Sequence, residues 1–217
     1  MRRGLFGGTF DPVHIGHLDV ARAARRALNL DEVMLVPSNI PPHRSTPHAS
    51  AAHRFAMAAL AVQGENGLVV SDVEMLAPGP SYTSATLDRL AARGIDTRTL
   101  VFVTGADAFR EIATWKGYPH ILDRCHFVVV SRSSSEAPAL RTLLPILSER
   151  MIDAPSQLTD QPRIFLVNAP TAPISSTDVR RRIAQGASVV GLVPAAVAGH
   201  IVRHGLYTAT GLEQGAS

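Results

Sequence analysis

The sequence has one cysteine, one lysine and one tryptophan in 217 residues. With Cys125 alone, no intramolecular disulfide can form, and no Cys/His ligand set is apparent in the sequence. A reducing, cytoplasmic setting is therefore expected. No apolar run is long enough to span a bilayer. The basic start Met1-Arg2-Arg3 runs into glycine-rich sequence rather than an apolar signal core, so no membrane partner is expected. Because Lys116 is the only lysine, twenty of the 21 basic residues are arginines. They are scattered, and the densest run, Arg180-Arg181-Arg182, falls on a predicted helix rather than in a basic patch. No nucleic-acid partner is therefore expected. The net charge of +3 and pI of about 9.6 equally suit a small substrate rich in phosphate.

At 46% hydrophobic residues the chain can build a full α/β core. Val33-Met34-Leu35-Val36, Leu100-Val101-Phe102-Val103 and His126 to Ser131 are continuous apolar runs of the kind buried on both faces of a parallel sheet. Gly4-Leu5-Phe6, Leu68 to Glu74 and Arg163 to Val167 read as further strands. Helices are expected between them: Leu18 to Leu30, Ala51 to Gln63, Tyr82 to Ala92, Leu140 to Met151, Thr177 to Gln185 and Pro194 to His204. Strands alternating with helices imply a doubly wound parallel sheet of the Rossmann-like kind. No repeat or linker divides the chain. Residues 1–207 are expected to form one domain, with 208–217 a tail that has little to order it.

In such sheets ligands bind outside the carboxyl ends of the strands. The stretch Gly7-Gly8-Thr9-Phe10-Asp11-Pro12-Val13-His14-Ile15-Gly16-His17 lies at one of those ends, between a strand and a helix. Gly7 and Gly8 let backbone approach a ligand closely, and Gly16 is expected to leave room beside two histidines that share a helix face. A second stretch, Ile174-Ser175-Ser176-Thr177-Asp178-Val179-Arg180, also opens a helix. Its hydroxyls and guanidinium beside exposed N–H groups make a pocket suited to β- and γ-phosphates.

Together the two stretches resemble the signatures of the HxGH nucleotidyltransferases. Pro80-Ser81-Tyr82-Thr83, Thr114-Trp115 and Pro41-Pro42-His43-Arg44 are similar to stretches of the bacterial nicotinate-nucleotide adenylyltransferase family. The resemblance runs from Gly7 to about Tyr207. It implies a nucleotidyltransferase-type sheet and adenylyl transfer from ATP to nicotinate mononucleotide, giving nicotinate adenine dinucleotide and pyrophosphate. By resemblance, His14, His17 and Arg180 act on the triphosphate and its developing charge. Gly7, Gly8, Thr9, Phe10, Gly16, Gly105, Asp107, Ser175, Ser176 and Thr177 complete the ATP site. Gly8, Thr9, Arg44, Tyr82, Thr83, Trp115 and Lys116 would hold the mononucleotide. Arg44 stands where many members carry lysine, and Lys116 where many carry an aromatic.

The implied attack needs no general base, because a phosphate monoester is largely dianionic at neutral pH. It needs two anions aligned and their charge neutralised. Mg²⁺ is expected with ATP, through phosphates and water, with no protein ligands assigned. Phosphopantetheine adenylyltransferases and cytidylyltransferases would share both phosphate motifs but not Pro-Ser-Tyr-Thr and Thr-Trp. A non-catalytic nucleotide sensor could dispense with His14 or His17. Assembly into a homo-oligomer stays open.

Overall fold

A computed structural model describes residues 1–42, 46–75, 77–131, 136–154 and 158–208. Seven strands form one all-parallel sheet: β1 (Arg3–Gly8), β2 (Glu32–Pro37), β3 (Leu68–Val70), β4 (Leu100–Gly105), β5 (His126–Ser131), β6 (Met151–Asp153) and β7 (Ile164–Asn168), in the order β3-β2-β1-β4-β5-β7-β6. The helices are α1 (Ile15–Ala27), α2 (Ala51–Ala61), α3 (Thr83–Ala92), α4 (Ala106–Arg110), α5 (Glu136–Leu143), α6 (Ser176–Ala184) and α7 (Ala195–Arg203).

Alternation along the strands separates two cores. Phe6, Val33, Leu35, Val101, Val103, Val128 and Val130 face α1, α2, α6 and α7. Leu5, Met34, Leu100, Phe102, Phe127 and Val129 face α3, α4 and α5. Period-two strands covered by helices on both sides explain why these runs are apolar throughout. Cys125 lies fully buried in the second core, where burial pushes its thiol up to about 12.

Several elements depart from the sequence expectation. Strand β3 stops at Val70 rather than Glu74, because it pairs only with Val33–Leu35 of β2 and the chain then turns, Met75 N–H donating to the Asp72 carbonyl. The helix expected over 140–151 is α5, placed earlier, followed by a 3₁₀ segment at Pro145–Arg150. Pro145 brings no N–H to continue the helix. The chain then adds β6 to the edge of β7, a strand with no sequence expectation behind it.

Strands β1 and β4 are neighbours, with Phe6 opposite Val103. After β1 the chain passes to the α1 face, and after β4 to the α4 face. Their carboxyl ends therefore flank the crevice where connections part to opposite sides, the usual ligand position in open α/β sheets.

Candidate active site

The loop after β1 is held together by its own side chains. A Cβ at Gly8 would lie 2.9 Å from the Phe10 ring. The space expected for a ligand at Gly8 is thus filled from within the loop. Phe10 has φ 51° and is buried, edge-on to Phe6 at 5.5 Å and to His17 at 5.0 Å. Its ring belongs to the core, which leaves only its backbone for an ATP contact. A Cβ at Gly16 would meet the Ala172 carbonyl oxygen at 2.8 Å and the His14 ring at 3.2 Å. The room expected beside Gly16 is therefore taken by the approach of the Ala172 backbone, not left for a bulky group.

Helix α1 begins three residues earlier than expected because the two histidines cap it. His17 N–H donates to His14 Nδ1 at 3.3 Å, and His14 N–H donates to His17 Nδ1 at 3.2 Å. The rings stack with centroids 3.6 Å apart. A nitrogen that accepts from a backbone N–H cannot carry a hydrogen. The ring hydrogen of each neutral imidazole therefore sits on Nε2. Both residues offer N–H donors to an anionic oxygen at the positive end of a helix.

The second motif is bonded directly to the first. Ser176 Oγ donates to the Pro12 carbonyl at 2.9 Å, and Arg180 donates to the Asp11 carbonyl at 2.7 Å. Ala172 N–H donates to Asp19 of α1 at 3.0 Å. The N-termini of α1 and α6 are thereby tied together. Ser175 caps α6, accepting from Asp178 N–H at 3.1 Å while its hydroxyl donates to the Asp178 carboxylate. Thr177 Oγ1 accepts from Arg180 at 3.3 Å.

Three residues outside the expected set brace the loop. Asp11 is buried; it accepts from His48 N–H at 2.8 Å, Ala49 N–H at 3.1 Å and the Tyr207 hydroxyl at 2.7 Å. Arg54, only 1% exposed, donates to the carbonyls of Thr9, Ser38, Asn39 and Ala49. Burial lowers the Arg54 pKa, opposed by the nearby Asp11 carboxylate. Burial first, then the Asp11 charge, raises that of Tyr207 and keeps its phenol a donor. An arginine among the apolar positions of α2 and a tyrosine after Gly205 were the only sequence signs of this bracing.

On the β4 side, Gly105 caps α4, and a Cβ there would meet nothing within 4 Å. Its place is open, next to the β1 end. Asp107 is exposed and ion-paired with Arg110 at 3.0 Å. Tyr82 precedes α3 and Thr83 begins it, where the first N–H groups have no intrahelical partner. Lys116 Nζ lies 4.6 Å from the centroid of the Tyr82 ring. Trp115 is half-buried, edge-on to Phe102 at 5.6 Å, and a Cβ at Gly7 would meet that same Phe102 ring at 3.4 Å. Phe102 thus links the Trp115 loop to the end of β1. Ser81 accepts from Asn39 N–H at 2.9 Å, fastening Pro80-Ser81-Tyr82-Thr83 to the loop after β2. Arg44 lies outside the described residues.

Two braced helix N-termini with imidazoles, hydroxyls and a guanidinium, at the parting of a parallel sheet, have the chemistry to hold an anion such as a polyphosphate. The cytidylyltransferase-like family profile matches residues 5–182, and the chain belongs to that family of nucleotidyltransferases. A relative from Desulfatibacillum aliphaticivorans, named "Probable nicotinate-nucleotide adenylyltransferase", is 40% identical over 95% of this chain and 100% of its own. One of the same name from Pseudomonas aeruginosa PAO1 is 40% identical over 96% of this chain and 98% of its own. Within the nucleotidyltransferases, the chain belongs with the nicotinate-nucleotide adenylyltransferases. The fold matches that of the Plasmodium falciparum nicotinic acid mononucleotide adenylyltransferase complexed with NaAD, with a TM-score of 0.73 at 17% identity over 94% of this chain and 96% of that one.

Proposed function

We propose that the chain joins ATP to nicotinate mononucleotide by direct in-line attack of the mononucleotide phosphate on the α-phosphorus. The P–O bond to pyrophosphate breaks as the new one forms, with no covalent enzyme intermediate. The observation that carries this reading is the bonding of the two phosphate motifs to each other, through Ser176 to Pro12 and Arg180 to Asp11.

His14 and His17 donate Nε2–H bonds to the triphosphate and to the charge that spreads over it in the transition state. The N-terminus of α6, with Ser175, Ser176 and Thr177 around it and Arg180 one turn in, holds the leaving β- and γ-phosphates. Gly7, Gly8, Thr9, Phe10 and Gly16 contribute backbone at the ATP site, and Gly105 with Asp107 lies toward the ribose. The mononucleotide sits against Gly8, Thr9, Tyr82, Thr83, Trp115 and Lys116, with Arg44 a further candidate. Magnesium arrives as the counter-ion of ATP, held through phosphates and water; among the described residues no group of three His, Cys, Asp or Glu side chains is placed to hold a metal. Residues 1–207 act as one catalytic domain, in the cytoplasm; among the described residues no helix is long and apolar enough to cross a membrane.

The purified protein is incubated with Mg·ATP and a panel of acceptor phosphates, and pyrophosphate release is followed. Release with nicotinate mononucleotide and not with phosphopantetheine is expected. The reverse would overturn the reading.

A further inference from the structure

Among the described residues, two of the three non-glycine residues with positive φ flank or make one hydrogen bond. Tyr207 has φ 62°, and Phe10, which precedes Asp11, has φ 51°. An aromatic residue rarely takes this backbone conformation, and such strain persists only where the surroundings hold it. Here it brings the Tyr207 hydroxyl to Asp11 Oδ1 across 196 positions of sequence. The other carboxylate oxygen, Oδ2, accepts from His48 N–H and stands 3.9 Å from the Arg180 guanidinium. That separation is a loose ion pair. Arg180 instead makes its short bond to the Asp11 backbone carbonyl, at 2.7 Å.

We propose that Tyr207 is a positioning residue for adenylyl transfer, acting through Asp11 on Arg180. By donating to Oδ1, the phenol restrains the carboxylate from turning toward the guanidinium. Arg180 then keeps its charge for the triphosphate instead of closing onto a buried aspartate. Without the hydroxyl, Oδ1 keeps only the Ala49 N–H. The carboxylate swings toward Arg180, draws the guanidinium inward and weakens its hold on the leaving phosphates. This inference rests on the role proposed for Arg180, so its test reads nucleotide binding directly and does not require the acceptor to be known.

Binding of a non-hydrolysable ATP analogue and of pyrophosphate is measured by calorimetry for the wild type, Tyr207→Phe, Arg180→Ala and the double variant. Tyr207→Phe keeps the ring that fills the core, and its melting temperature checks the fold. It is expected to weaken both ligands about three- to tenfold and to leave nicotinate mononucleotide binding unchanged. In the Arg180→Ala background the same change should have almost no further effect, because the group it acts through is gone. A loss that is additive in the two backgrounds, equal losses for nucleotide and mononucleotide, or no loss at all would each overturn the proposal. Should Tyr207→Phe fail to fold, Tyr207→Leu, which also removes the hydroxyl and leaves the Asp11 carboxylate in place, is used instead with the same expected coupling. If the wild type binds the ATP analogue but transfers to a different acceptor, the proposed reaction falls, while the coupling still decides the role of Tyr207.

Discussion

His17 has two roles in the proposed reading: its Nδ1 accepts the His14 N–H in the helix cap, and its Nε2–H is the proposed donor to a phosphate. An alanine variant would remove both functions. His17→Asn separates them, because the amide oxygen can take the place of Nδ1 while the amide NH₂ does not reach the position of Nε2. Loss of one well-placed donor lowers kcat by roughly 10²–10³. We expect that loss in His17→Asn with the melting temperature little changed, measured by steady-state pyrophosphate release and thermal unfolding. Arg180→Ala should weaken ATP and pyrophosphate binding and spare the mononucleotide. Equal weakening of both would place Arg180 elsewhere in the mechanism. The sequence pattern pointed to both residues, since each lies in a short motif whose chemistry is local. It did not point to Arg54 or Tyr207, because what makes them matter is the backbone carbonyls and the carboxylate that the fold delivers to them from distant segments.

At the scale of elements, the most informative contact is between α2 and α7. His53 Nδ1 lies 3.1 Å from His200 Nε2, and the His204 ring centroid is 4.4 Å from that of His200. Burial, then the neighbouring His204, His53 and Arg203, lower the pKa of His200. The folded protein therefore resists a proton that the unfolded chain accepts. Stability at this seam is full above the unfolded value of about 6.5 and is lost as pH falls below it, toward the lower folded value. Urea midpoints at pH 8 and pH 5.5 should differ more for the wild type than for His200→Gln; an unchanged difference would remove the seam as the cause. The sequence made α7 legible but not its partner. Helix and strand periods reveal which face of an element is apolar, not which other element covers it. The same limit explains β6: Met151-Ile152-Asp153 is too short to show a period, and it is a strand only because β7 offers an unfilled edge. The carboxyl-end loops after β1 and β4 were legible as site-bearing, because a buried parallel strand ending in glycine can be read without knowing its neighbours.

At the scale of the whole molecule, the helices proposed to hold the triphosphate and the segments proposed to hold the nicotinate ring pack on different faces of the sheet. Helices α1 and α6 pack on one core and the Tyr82 and Trp115 segments on the other. Changes in the Tyr82 and Trp115 segments should therefore act chiefly on one substrate. Trp115→Ala is expected to raise KM for nicotinate mononucleotide far more than for ATP. If the N–H groups at Thr83 and Lys116 meet the nicotinate carboxylate, as proposed, acid is favoured over amide, because a carboxylate only accepts hydrogen bonds. An amide would leave a buried donor unsatisfied at about 1–3 kcal/mol each. The ratio of kcat/KM for the acid and amide mononucleotides should then be one to a few powers of ten, and a ratio near one would rule out the backbone donors.

The buried Cys125 gives that second face a built-in clock. As the chain's single thiol, it has no competitor for an alkylating reagent. Shut inside the core, with its thiolate scarce at neutral pH, it reacts only when the layer of α3, α4 and α5 lifts from the sheet. Iodoacetamide uptake, followed by mass, therefore times that opening in the unmodified protein. If the segments packed on that face hold the mononucleotide, as proposed, a saturating amount of it should slow the uptake.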